Sequence, residues 1–146
     1  MPPSRLAQNA RDGGMTGLDT NVVIRFLTQD DDVQSPIATR AFSRLTKDQP
    51  GFISAVVLAE ISWVLARAYK APREDIARAI EGLLRSAELV VENAEAAYRA
   101  LGVYGTSASV DFADALIAET ANLAGAGETL TFDRNAAKEA GMRLLK

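Results

Sequence analysis

The stretch GLDTNVVIRFL, residues 17–27, decides the fold, because it sets a single carboxylate, Asp19, against a run of apolar residues. Such a run reads as buried, and a buried Asp is costly unless something offsets its desolvation. Residues 16–18 read as a short strand and residues 21–27 as a helix, so Asp19 stands at a strand end. A carboxylate there has two uses. It caps the free amides of the following helix, or it serves the crevice beyond the strand ends where open parallel sheets bind ligands.

Outward from this stretch, short apolar runs alternate with helical patterns, the signature of an α/β protein with a mostly parallel sheet. Ser35 reads as an N-cap with Pro36 in the first turn, and Ile37, Ala41 and Leu45 continue that helix at i+4 spacing. A second strand starts in QPGFIS (49–54), and residues 55–69 form a helix carrying Glu60 and Trp63. Ala71-Pro72 breaks it, and 73–85 is helical through Ile76, Ile80, Leu83 and Leu84. ELVVE (88–92) is a third strand, followed by a helix over 94–104 and a loop over 105–109. A helix over 110–123 closes in GAG (125–127); 128–131 is a fourth strand, 135–140 a short helix and MRLL (142–145) a final short strand.

A chain of 146 residues suits one domain with a real core. No apolar run approaches the roughly 20 residues that span a bilayer. MPPSRLAQNARDGG (1–14) lacks the apolar centre of a signal peptide and reads as a leader or tag ahead of a domain over 15–146. The expected location is therefore the cytoplasm, with no membrane partner. Cysteine is absent, which removes disulfides, thiolate metal sites and cysteine nucleophiles. Histidine is absent too, which removes the commonest general base and every Ser-His-Asp arrangement. Catalysis must therefore run on carboxylates, hydroxyls, Lys or Arg, and a metal would be a hard one held by oxygen.

Four acids sit where a surface charge is not expected: Asp19, Glu60 within ISAVVLAEISWVL (53–65), Asp114 within FADALIAE (112–119), and Asp133 after the fourth strand. Taken singly each has an ordinary reading: a cap for Asp19, a solvent position or an Arg67 partner for Glu60, a turn for Asp133. Asp111 reads as a cap for the helix near Phe112, yet it lies three residues before Asp114 and so on nearly the same face. Jointly placed at one end of an α/β sheet, the carboxylates would repel, and a divalent cation such as Mg²⁺ or Mn²⁺ relieves that repulsion. Net charge is −3, but setting aside the four acids leaves 15 acidic against 16 basic residues, a surface acceptable to phosphate once the cation is bound.

The blocks LDTNVVIRFLTQDD (18–31), ISAVVLAEISWVL (53–65), DFADALIAETA (111–121) and TFDR (131–134) resemble the PIN domain, specifically the VapC toxin ribonucleases of VapBC toxin–antitoxin systems. The resemblance implies a three-layer PIN-like fold, a central mostly parallel sheet of four to five strands flanked by helices. It implies a Mg²⁺- or Mn²⁺-dependent endoribonuclease whose metal-binding acids are Asp19, Glu60 and Asp114, with Asp133 the fourth and Asp111 a supplement. Thr20, Asn21 and Thr131 would support them, and Arg25, Arg67 and Arg134 are phosphate candidates by charge and proximity. A VapB-like antitoxin and a homodimer are the implied partners, and RNA the substrate. Where the family often carries an aromatic after the last block, this chain reads NAAKEAG (135–141). A non-catalytic metal- or RNA-binding PIN-like module is the alternative. A haloacid-dehalogenase-type phosphatase would need a second Asp at the place of Asn21.

Overall fold

The computed structural model describes residues 14–146, so all of the expected leader but Gly14 lies outside the described residues. The elements run β1 (Thr16–Gly17), α1 (Thr20–Thr28), α2 (Gln34–Ser43), β2 (Gly51–Ile53), α3 (Ala55–Arg67) and α4 (Arg73–Arg85). They continue with β3 (Leu89–Val91), α5 (Ala94–Thr106), α6 (Phe112–Leu123), β4 (Leu130–Thr131), α7 (Arg134–Glu139) and β5 (Arg143–Leu144). Each lies within a few residues of its expected place. Among the described residues no helix is long and apolar enough to cross a membrane.

The architecture is α/β with parallel strands flanked by helices. The strands hydrogen-bond as a three-stranded sheet in the order β1-β2-β3 and a separate parallel pair, β4-β5. Both sheets are small. Asp19 and Asp133 therefore do not follow hydrogen-bonded neighbours, as a single continuous sheet would require. β2 is the central strand, and its first residue must be small. A Cβ on Gly51 would lie 2.8 Å from Leu18 Cδ1, 2.8 Å from Leu45 Cδ1 and 3.0 Å from Leu89 Cδ2.

The helices bury their apolar stripes on this sheet and on one another. Val23 and Ile24 of α1, Ile53 of β2, Leu58 and Ile61 of α3, and Ile76 and Ile80 of α4 form the centre of the core. α5 packs along α6 through small residues, Ala96, Ala97 and Ala100 on one side and Ala115 on the other, all fully buried. A second, smaller cluster joins Ala118 of α6, Ala136 of α7 and Met142 ahead of β5. That cluster fixes α7, and with it Asp133, against the helix that carries Asp114.

Two local readings change. α2 starts at Gln34, and its free amides are satisfied by Asp31 Oδ1, which accepts from Val33 N at 3.0 Å and Gln34 N at 2.6 Å. Ser35, expected as the cap, is buried inside the first turn and donates to the Arg25 carbonyl at 2.8 Å. Asp19 is exposed rather than buried, because β1 is an edge strand and the apolar stripe of α1 turns inward only from Val23. Solvent offsets the charge of Asp19 in this chain.

Candidate functional site

Three of the acids are helix caps, which explains why each stands where a strand or loop gives way to a helix. Asp19 caps α1, its Oδ1 accepting from the Thr20 amide at 2.9 Å. Asp111 caps α6 and accepts from the Asp114 amide at 2.7 Å. Asp133 caps α7 and accepts from Asn135 N at 2.8 Å and Ala136 N at 3.1 Å. Capping fixes each carboxylate through Oδ1. The second oxygen of Asp19 and of Asp133 accepts no hydrogen bond among the described residues.

Two local sets of interactions involve the acids. In one, the Thr20 hydroxyl donates to Glu60 Oε1 at 2.8 Å, which ties the middle of α3 to the residue after Asp19. In the other, Asp114 lies one turn into α6, half-buried, facing Asp111 and Asp133. Its carboxyl is pushed up to about 6, first by burial, then by the charges of Asp111 and Asp133, with a hydrogen bond shared with Asp111 acting the same way. α3, which bears Glu60, packs against both α1 and α6. Among the described residues no three carboxylates come close enough to hold one ion together.

The donor set nonetheless fits a hard divalent cation in kind. All five groups are carboxylates, and among the described residues none forms an ion pair with Lys or Arg. Asp114 is raised first by burial and then by the charges of Asp111 and Asp133, and a cation beside it would relieve that second part.

The supporting residues divide. Thr20 holds Glu60, as above. Thr131 accepts from the Asp133 amide at 2.9 Å and so shapes the turn that presents that acid. Asn21 turns away from Asp19 and donates to Gln34 Oε1 at 3.2 Å. Arg25 is committed to structure: it donates to Gln34 at 2.8 Å and to the Tyr69 hydroxyl at 3.2 Å, and it pairs with Asp30 at 3.4 Å. That network draws the Arg25 guanidinium away from any phosphate role. Arg67 lies over the Trp63 ring, 5.6 Å from its centroid, and makes no ion pair with Glu60. Arg134 is exposed at the start of α7.

One positioning group is invisible to sequence reasoning. Glu139 Oε2 accepts from the Ser107 hydroxyl, from Ser109 N at 3.0 Å, from Ser109 Oγ at 2.9 Å and from Val110 N at 2.8 Å. These bonds hold its carboxyl down at about 2, the Ser107 and Ser109 hydroxyls contributing most. The end of α7 thereby grips the loop that delivers Asp111. The two serines ahead of Asp111 are the visible half of this clamp, and nothing local marks its acceptor about 30 residues later.

A family model for the PIN domain matches residues 18–141, a span that contains all five acids. The chain belongs to the PIN-domain family. No curated protein and no solved structure matches it. PIN domains are typically nucleases, generally dependent on divalent metal, and act on nucleic acid. In this PIN domain Asp19, Asp111 and Asp133 cap helices, and Glu60 and Asp114 project from within them.

Proposed function

We propose that this PIN domain is a divalent-metal-dependent endoribonuclease, the toxin of a type II toxin–antitoxin system acting in the cytoplasm. The observation that carries the reading is the setting of Asp114. It is half-buried, faces two further carboxylates, has no basic partner among the described residues, and lies on a helix packed against the one that bears Glu60. Asp19, Glu60 and Asp114 would hold Mg²⁺ or Mn²⁺, with Asp133 as the fourth group and Asp111 as support. Such an ion supplies Lewis acidity toward a phosphodiester and a source of nucleophilic water.

The chain's own contribution is placement. Caps fix Asp19, Asp111 and Asp133 through one oxygen each, leaving the outer oxygens of Asp19 and Asp133 toward solvent. Thr20 orients Glu60, and the Glu139 clamp sets the loop ahead of Asp111. Arg67 and Arg134 remain the phosphate candidates. The toxin role, a VapB-like antitoxin partner and a homodimer rest on the resemblance of the four sequence blocks to VapC proteins.

The test is cleavage of RNA in the presence of Mg²⁺ by the wild type and by Asp19→Asn. The wild type is expected to cut and the variant to lose cutting. Equal cleavage by both refutes the assignment. A second reading, a metal- or RNA-binding module without catalysis, is favoured by the lack, among the described residues, of three carboxylates close enough to hold one ion. It predicts Mn²⁺ binding by calorimetry with no RNA cut under any metal.

A further inference from the structure

Beside the acids, α7 and the last strand border an open groove of about 840 Å³ that neither the caps nor the carboxylate groups use. Its lining is apolar at Phe132, Ala137, Leu144 and Leu145 and basic at Arg134, Lys138 and Lys146. Phe132 is 81% exposed, the most exposed of the large apolar side chains among the described residues. Its ring adds apolar area to a groove that is already apolar at Ala137, Leu144 and Leu145.

The chemistry around the ring says which ligand it fits. Arg134 and Lys138 are exposed and form no ion pair or side-chain hydrogen bond among the described residues, and no Asp or Glu side chain lines the groove. An aromatic face flanked by free cations is the pattern that holds an unpaired base by stacking and its phosphates by charge. A peptide or a second protein surface would bring carboxylates or apolar area, but it has no general need for both features together. Phe132 also directly precedes Asp133, so the groove adjoins the turn that presents that acid.

We propose that Phe132, Arg134 and Lys138 form a subsite for single-stranded polynucleotide, with one base stacked on Phe132 and flanking phosphates on Arg134 and Lys138. The subsite deepens the nuclease reading, and its place in catalysis rests on that reading; binding is measured apart from it. A duplex keeps its bases stacked inside and cannot use Phe132 in this way.

The experiment is fluorescence anisotropy with a short labelled oligouridylate in EDTA, where no cutting occurs, for the wild type, Phe132→Ala, Phe132→Trp, Arg134→Ala and Lys138→Ala. Phe132→Ala is expected to weaken binding roughly 5- to 150-fold, as for loss of one stacked base. Phe132→Trp should restore it and add to the Trp63 emission of the wild type a second Trp signal that the oligonucleotide quenches. Arg134→Ala and Lys138→Ala should each lower the salt slope by about 0.7. Matching single-stranded DNA separates the two sources of the ligand: equal binding assigns the subsite to bases and phosphates alone, and weaker binding adds a ribose contact. Because Phe132 and Lys138 are exposed, both alanine variants should unfold at the wild-type temperature. Wild-type affinity in Phe132→Ala, equal affinity for a duplex, or loss of a dimer in place of loss of nucleotide would each overturn the proposal. Binding through these residues by a chain that cuts no RNA with Mg²⁺ would sink the nuclease reading and leave the subsite standing.

Discussion

Asp114 makes the stability of this PIN domain fall as pH rises, the reverse of the usual carboxylate. Its folded-state value, about 6, lies above the ordinary 3.8. Between those values the native chain binds more protons than the unfolded one, so stability is lost as pH climbs from about 4 through 6 and then levels off. The gap corresponds to about 3 kcal/mol. Asp114 is only half-buried, so solvent screening brings the expected loss to about 1–2 kcal/mol. For a chain of this length that is a fall of roughly 3–7 °C in Tm. The assay is thermal unfolding across pH 4–7 in EDTA, comparing the wild type with Asp114→Asn and Asp111→Asn. Asp114→Asn should abolish this part of the slope. Asp111→Asn keeps a capping side chain and removes one repelling charge, so it should reduce the slope without erasing it. A wild-type slope in Asp114→Asn would refute the reasoning, because the pH dependence would then not arise from burial and repulsion at that residue.

The clamp at Glu139 acts in a lower window and with the opposite sign. Its carboxyl sits near 2 in the folded chain against an ordinary 4.5, so its stabilisation is complete above pH 4.5 and disappears as pH falls toward 2. Glu139→Gln should lack that acid-side loss in a Tm-against-pH profile; coincident profiles would contradict the clamp. Gly51→Ala places a methyl 2.8–3.0 Å from three Leu side-chain carbons. Since Leu18, Leu45 and Leu89 are partly exposed and can yield outward, the cost should fall at the low end of overpacking, about 1–2 kcal/mol by urea denaturation. An unchanged midpoint would show that β2 has room to spare.

The order and type of the elements were legible because apolar period, Gly and Pro punctuation and capping residues are local signals. Residues 73–85 show this well: Pro72 precedes the helix, Ile76, Ile80 and Leu83 bury one face, and observed and expected bounds agree. Asp111 is likewise the cap its position ahead of Phe112 suggests. Long-range partners were not legible. The commitment of Arg25 to Gln34, Asp30 and Tyr69 depends on α2 and the end of α3 folding back beside α1. The exposure of Asp19 depends on β1 being an edge, and the Glu139 clamp on the small cluster that seats α7. The four-block pattern located the acids but not their separations, which are set by helix packing that no short motif encodes.

The central proposal is that Asp19, Glu60 and Asp114 share one divalent cation. Anomalous diffraction at the manganese edge, from crystals of the intact chain grown with Mn²⁺, tests this directly. The account predicts a peak between Asp19, Glu60 and Asp114. A peak elsewhere, or none at those carboxylates, would contradict it.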